Sequence, residues 1–248
     1  MKNIAFHIQK GGVGKTTLSG NVAFSLSDKG HKTILIDCDP QGNSTNWFLK
    51  DSPEYELADV LDGNVELNKA ISQVRDNLYL LPTFSIGGDL RNFAQTKLVN
   101  KIVVFTKLAK DLEVLGFDYA IYDLSPGMSL LEKRILSAVN EVITPLTPEY
   151  FSLDGIEIFN NDLKEINEDY GVSIAHEKIV INNVNKTFGT HKAIMDKMSK
   201  FDYDFFVVRQ DRKIADSIGV NQSIYEFFPS SKTIPEIDKI ANAITIGV

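Results

Sequence analysis

The sequence predicts a doubly wound α/β fold, a mostly parallel sheet with helices on both faces. Seven apolar runs read as strands, at positions 4–8, 32–36, 78–82, 117–123, 141–146, 178–183 and 204–208. Most of them alternate with helical patterns of ten or more residues. Such alternation implies parallel strands joined by right-handed crossovers. No internal repeat or low-complexity linker breaks the series, so residues 1–248 read as one domain. An antiparallel pairing at one sheet edge is left open.

The first run, Ile4-Ala5-Phe6-His7-Ile8, leads into Lys10-Gly11-Gly12-Val13-Gly14-Lys15-Thr16-Thr17. Behind that loop Leu18, Val22 and Leu26 stand four apart, a helical period, and Lys29-Gly30 supply a last turn and C-cap. Strand, glycine-rich loop and helix together form the context of a phosphate-binding loop. Its glycines let backbone N–H groups close around phosphate oxygens without Cβ clashes, and the helix adds the positive end of its dipole. Lys15 then reaches the β- and γ-phosphates, and the Thr16 hydroxyl ligates Mg²⁺. The general form of this loop has glycine where Gln9 stands, and here the loop opens instead on a second lysine, Lys10.

This deviant loop resembles that of the ParA/MinD class of P-loop ATPases, and the similarity runs nearly end to end. The resemblance implies ATP/ADP and Mg²⁺ as ligands, held by Lys10, Gly11, Gly12, Val13, Gly14, Lys15, Thr16 and Thr17. It also implies that Lys10 crosses a dimer interface to the partner's nucleotide. The second strand ends in Asp37-Cys38-Asp39-Pro40-Gln41-Gly42-Asn43. Two aspartates at i and i+2 point to one side, and ligands of open α/β sheets sit at the carboxyl ends of strands. The segment is similar to the family's switch I, in which the second aspartate positions the attacking water and lies near the metal. That residue is Asp39.

Further along, Ser44 caps a short helix through Phe48, Leu57, Val60 and Leu61 suggest another, and Trp47 and Phe48 read as packing residues. Residues 83–90 resemble the family's loop into the next helix. From Arg91 to Lys110 the chain carries Arg91, Lys97, Lys101, Lys107 and Lys110 and no acid before Asp111. A helix there is either a solvated face or part of a polyanion-binding surface. The run 117–123 ends in Asp123, the Walker B position, where a carboxylate approaches Mg²⁺, usually through a coordinated water. The family often has proline where Ser125 follows. Pro148 to Gly155 resembles the family's E-Y-x-x-L-x-G element and opens a helix over 156–168. By the same resemblance Asn182 or Asn183 reaches the adenine. A helix is expected around 190–200. The run from Arg209 to Gly219 aligns with a family segment that contacts nucleotide and DNA, which places Arg209 at the nucleotide and Arg209, Arg212 and Lys213 at DNA. A helical turn would put Arg209 and Arg212 on one face. A last helix runs from Pro235.

Composition narrows the function classes. Apolar content of 43% and charged content of 24% are ordinary for a globular protein. The net charge of −7 excludes a uniformly basic nucleic-acid binder. Positive charge is nevertheless local: from Lys186 to Lys213 seven basic residues (Lys186, Lys192, Lys197, Lys200, Arg209, Arg212, Lys213) face four acids, an excess of +3. Such a patch suits salt-sensitive contact with a phosphate backbone. Cys38 is the only cysteine, which rules out an intrachain disulfide framework or a multi-cysteine metal site. No apolar run approaches the roughly 18 residues of a membrane span. With a strand at the N-terminus, neither a signal peptide nor a preceding DNA-binding domain is expected, and the location is cytoplasmic, on the nucleoid.

The resemblance thus implies a ParA/Soj-like partition ATPase, a homodimer with ATP that binds double-stranded DNA non-specifically. A ParB-like centromere-binding protein would stimulate hydrolysis and release it. A MinD-like division regulator is the alternative, but that class ends in a basic amphipathic membrane helix. Residues 237–248 hold one lysine and no aromatic anchor, so no membrane is expected. A metabolic P-loop enzyme is the third reading, and no acceptor-pocket motif supports it.

Overall fold

The structure is a computed structural model and describes residues 1–149, 152–185, 187, 191, 196 and 201–246. Strands β1 (Lys2–Phe6), β2 (Thr33–Cys38), β3 (Ser72–Arg75), β4 (Leu78–Leu81), β5 (Tyr119–Leu124), β6 (Glu141–Leu146), β7 (Ala175–Val184) and β8 (Asp204–Arg209) form one eight-stranded sheet. Their order is β3-β4-β2-β5-β1-β6-β7-β8, and each neighbouring pair is parallel except β3 with β4. The doubly wound fold is therefore as expected, and the open question of the edge is answered by β3. That strand was not among the seven. Its Ser-Gln-Val-Arg sequence covers only four residues, is half-exposed, and pairs irregularly between Gln73 and Arg75. It lacks the apolar weight by which buried parallel strands announce themselves.

Helices fill both faces. On one side lie α1 (Lys15–Asp28) and α2 (Asn43–Phe48), joined there by the last two helices of the chain, Ile224–Phe227 and Ile234–Thr245. On the other lie α3 (Leu57–Asp62), α5 (Leu90–Thr96), α6 (Val104–Val114), α7 (Leu130–Leu136) and α8 (Ser152–Tyr170), with the short α4 (Leu67–Ala70) between α3 and β3. The chain closes with α9 (Arg212–Ile218), α10 (Ile224–Phe227) and α11 (Ile234–Thr245). Strand periodicity divides the core accordingly: Ala5, Ile34, Ile36 and Tyr122 face the second layer, while Ile4, Phe6, Leu35 and Ile121 face the first.

Helix α1 confirms its pattern, since Leu18, Val22 and Leu26 are all buried. It stops at Lys29, where Gly30 takes φ +89°. Trp47 and Phe48 are packing residues. The Trp47 indole lies over Gly20 of α1, where an added Cβ would come within 2.3 Å of Cζ3, and its Nε1 donates to Gln222 O at 2.8 Å. A ring of that size buried in this way stabilises the fold by about 3–5 kcal/mol relative to alanine. It fixes α2, which follows the aspartate loop, onto α1, which carries the glycine loop.

The basic stretch after Arg91 is broken rather than continuous. Helix α5 ends at Thr96, a 3₁₀ turn covers Leu98–Asn100, and α6 begins at Val104. Lys97 and Lys101 both turn onto Asp62 at the end of α3, so part of their charge is balanced locally.

Candidate nucleotide-binding site

The three central strands β2, β5 and β1 run in register, so that Phe6 and Asp37 both pair with Asp123. This register brings the glycine loop behind β1, the aspartate loop at the end of β2 and the end of β5 to one place. Gly12 and Gly14 adopt φ +74° and +94°, left-handed values that a side chain would strain. Gly14 is closed off further by Asn182 of β7: a Cβ there would meet Asn182 Nδ2 at 2.2 Å. The same amide donates to Val13 O at 2.9 Å, bracing the loop from outside. Gly14 also stands as N-cap of α1 without a side-chain hydrogen bond, so the first N–H groups of the helix keep their capacity for an anion.

Lys15 is buried, and its Nζ donates to Lys10 O at 2.7 Å and Ile8 O at 3.3 Å. Burial lowers its pKa, while the charges of Asp123 and Asp39 act in the opposite sense. Lys10 turns outward, and its Nζ meets Glu149, just beyond β6, at 2.6 Å.

Two buried carboxylates lie beneath. Asp37 Oδ2 accepts from Thr45 N at 2.8 Å and Thr45 Oγ1 at 2.7 Å. Burial first, and then the neighbouring Asp123, push Asp37 well above the usual carboxylate range. Asp123 Oδ2 accepts from Ser44 Oγ at 2.7 Å, and its Oδ1 is buried with no partner. Burial raises Asp123 to about 6, opposed chiefly by the hydroxyls of Ser44 and Thr16. Asp39 is half-buried; its Oδ1 accepts from Gln41 N at 2.9 Å. Gly42 follows at φ +63°, and a Cβ there would lie 2.6 Å from Thr83 O.

These donors fit Mg²⁺. The Asp123 carboxylate, one of whose oxygens is orphaned, interacts with the Thr16 hydroxyl and lies in the field of Asp39 and Lys15. The hydroxyl of Thr16 and the carboxylates of Asp123 and Asp39 are hard oxygen donors, as this cation requires. Among the described residues no cluster of three His, Cys, Asp or Glu makes a cage. Mg²⁺ needs none, since it keeps waters and takes substrate phosphates.

The remaining expected residues lie elsewhere. Asn183 has φ +58° and an exposed side chain. Arg209 ends β8, where Nε and Nη2 hold Glu236 Oε1 at 2.9 and 2.6 Å and its N–H donates to Oε2. Arg212 begins α9 behind the N-cap Asp211, so the two arginines belong to different elements and do not share a helical turn. Arg212 is exposed, and Lys213 approaches Asp216 at 3.3 Å. Tyr150 and Phe151 of the E-Y-x-x-L-x-G element, most of the expected helix at 190–200, and Lys186, Lys192, Lys197 and Lys200 of the basic stretch lie outside the described residues.

Sequence reasoning did not find Ser44 and Thr45 as partners of the buried acids, nor Glu149 as the partner of Lys10. Hydroxyls in a short helix carry no distinctive pattern, and Glu149 lies 139 residues from Lys10.

Comparison with known proteins agrees with this geometry. Residues 1–176 match a family described as the AAA domain. An uncharacterized protein of Borreliella burgdorferi is 42% identical, covering 99% of this chain and 100% of its own. The chromosome-partitioning ATPase Soj of Treponema pallidum is 31% identical, covering 70% of this chain and 68% of its own. Among solved structures, a protein assigned to plasmid partition in Borrelia burgdorferi, bound to AMPPNP, superposes with a TM-score of 0.83 at 25% identity, covering 99% of this chain and 98% of its own. The chain belongs to this AAA-domain family as a ParA/Soj-type ATPase.

Proposed function

We propose that the chain is a DNA-partition ATPase in which Mg²⁺-ATP closes a sandwich dimer. The observation that carries this reading is the convergence of Lys10, Lys15, Thr16, Asp39 and Asp123 at the carboxyl ends of β1, β2 and β5. The uncapped turn of α1 and Lys15 bind the phosphates, with Gly11, Gly12, Val13 and Thr17 completing the loop. Thr16 and Asp123 would hold Mg²⁺, which would supply charge neutralisation for the phosphates. Asp39 orients the attacking water. Phosphoryl transfer of this kind is mostly positioning and charge stabilisation. Asn182 braces the loop and stands with Asn183 as the candidate for the base. The dimer binds duplex DNA without sequence preference, and a ParB-like partner stimulates hydrolysis and releases it.

Lys10 separates binding from assembly. Its ammonium is paired with Glu149 of its own chain, an exposed contact of the kind worth little, so the lysine is readily given up to a second nucleotide. Lys10→Ala is expected to weaken ATP-dependent dimerisation and turnover while ADP affinity changes much less. Light scattering with ATP beside an ADP titration checks this. Equal losses in both would put Lys10 at its own subunit's nucleotide.

For DNA, the structure shifts weight within the predicted trio. Glu236 already neutralises Arg209, whereas Arg212 has no acidic partner among the described residues. Two patches brought together by ATP give more phosphate contacts than one. Duplex binding is therefore expected with ATP, and it falls steeply as salt rises. Arg209→Glu with Arg212→Glu removes binding, Arg212→Glu alone removes most of it, and ATP-dependent dimers persist. A wild-type ATP dimer without duplex affinity at low salt ends the partition reading. It would leave a MinD-like switch or a small-molecule enzyme. Against the former, α11 buries Ile237, Ile240 and Ile244 in the core, so its apolar face is not available to a bilayer. Among the described residues no helix is long and apolar enough to cross a membrane.

A further inference from the structure

The loop behind Asp123 carries a contact that the site described above does not use. After Asp123 and Leu124 the chain turns through Ser125, Pro126, Gly127 and Met128 into α7, whose N-cap is Ser129. Glu132, at the third position of α7, is 3% exposed. Its Oε2 does what a capping box asks, accepting from Ser129 N at 2.8 Å and Ser129 Oγ at 2.6 Å. The other oxygen does something a capping box does not ask. Oε1 accepts the hydroxyl of Ser125, two residues beyond Asp123.

Chain geometry makes the pair a clamp. The loop wraps closely round the carboxylate, and a Cβ on Gly127 would sit 3.5 Å from Oε2. On its other side lies the buried His7 ring, at the root of the glycine loop, neither of whose nitrogens has a hydrogen-bond partner among the described residues. The segment from Ser125 to Ser129 is thus held at both of its ends by the one carboxylate of Glu132. A buried carboxylate that loses one of its few donors keeps its desolvation cost, so Ser125 and Glu132 hold each other firmly. Asp123 has its Ser44-bound oxygen on one side and its unpartnered oxygen on the other. Which of them meets the cation depends on how the following loop leaves the strand.

We propose that Ser125 and Glu132 are positioning residues for the nucleotide reaction, a hydroxyl–carboxylate latch that sets the loop behind Asp123 so that its free oxygen faces the cation. Neither side chain touches substrate. The inference rests on the ATPase reading above.

The test compares Ser125→Ala, Ser125→Thr and Glu132→Gln in the full chain, by steady-state turnover, ADP affinity and thermal midpoint. Ser125→Ala removes only the latch and leaves the helix cap of Ser129 in place. It should lower kcat about tenfold, as loss of one hydrogen bond to a charged group allows, with ADP affinity within about twofold. Glu132→Gln, which removes the charge but keeps one acceptor oxygen, should fall between Ser125→Ala and wild type. Ser125→Thr, which keeps the hydroxyl, should restore turnover. Wild-type kcat in Ser125→Ala overturns the latch, as does a loss that Ser125→Thr fails to recover or that tracks the thermal midpoint alone. If the wild-type chain hydrolyses no ATP, the ATPase reading fails separately. The latch is then judged by binding: weaker Mg²⁺-dependent AMPPNP affinity in Ser125→Ala supports it, and equal affinity overturns it.

Discussion

Lys15→Ala is expected to weaken ATP binding by about 10²–10⁴ and to remove turnover with it. The ammonium is already in place, held by the carbonyls of Lys10 and Ile8 within the loop that surrounds the phosphates. Nucleotide exchanges these neutral acceptors for two anionic ones. Hydrogen bonds to charged groups contribute about 1.5–3 kcal/mol each, so losing two gives the stated range. The surroundings add to the loss. Asp123 and Asp39 both act electrostatically on Lys15, and without it their negative field meets the incoming phosphates uncompensated. The affinity for ATP with Mg²⁺, measured by titration calorimetry, decides the matter, with circular dichroism to confirm the fold. An alanine variant that binds and hydrolyses ATP normally would show that the nucleotide sits elsewhere.

Most of what the sequence revealed was written in local patterns. The Leu18–Val22–Leu26 period and the left-handed glycines made the loop and α1 legible, and continuous apolar runs marked the buried parallel strands. Long-range pairing was not legible. Lys97 and Lys101 find Asp62, Lys10 finds Glu149, and Arg209 finds Glu236, each across a separation set only by the sheet order. The split between Arg209 and Arg212 did have a local signal. Asp211 is an N-cap whose side chain accepts from Lys213 N, and an Asp just before a helical run marks its start. Ser129-Leu-Leu-Glu132 likewise spells a capping box, whereas the use of its second oxygen by Ser125 depends on the path of the loop. The edge strand β3 escaped because half-exposed, polar strands resemble loops until a neighbour pairs with them.

Asp39→Ala is expected to leave nucleotide binding and ATP-dependent assembly largely intact while slowing hydrolysis by about 10²–10⁴, the range typical of a lost acid–base or water-orienting group. The geometry separates Asp39 from the two buried acids. Asp37 is spent on Thr45 and anchors α2, and Asp123 is joined to Ser44 and keeps its other oxygen unpartnered among the described residues. Replacing either would leave buried donors without acceptors and disturb the fold. Asp39, half-buried, gives one oxygen to Gln41 N, a contact within its own turn. Removing it therefore costs the fold little and leaves Lys15, Thr16 and the uncapped turn of α1 to hold phosphate. A particle that binds ATP but cannot cleave it should accumulate in the closed form. Size-exclusion chromatography with ATP and Mg²⁺ should show a dimer persisting for Asp39→Ala after the wild-type dimer has decayed. A folded variant that stays monomeric at saturating ATP would mean that Asp39 supports assembly instead of water, and the catalytic assignment would have to move.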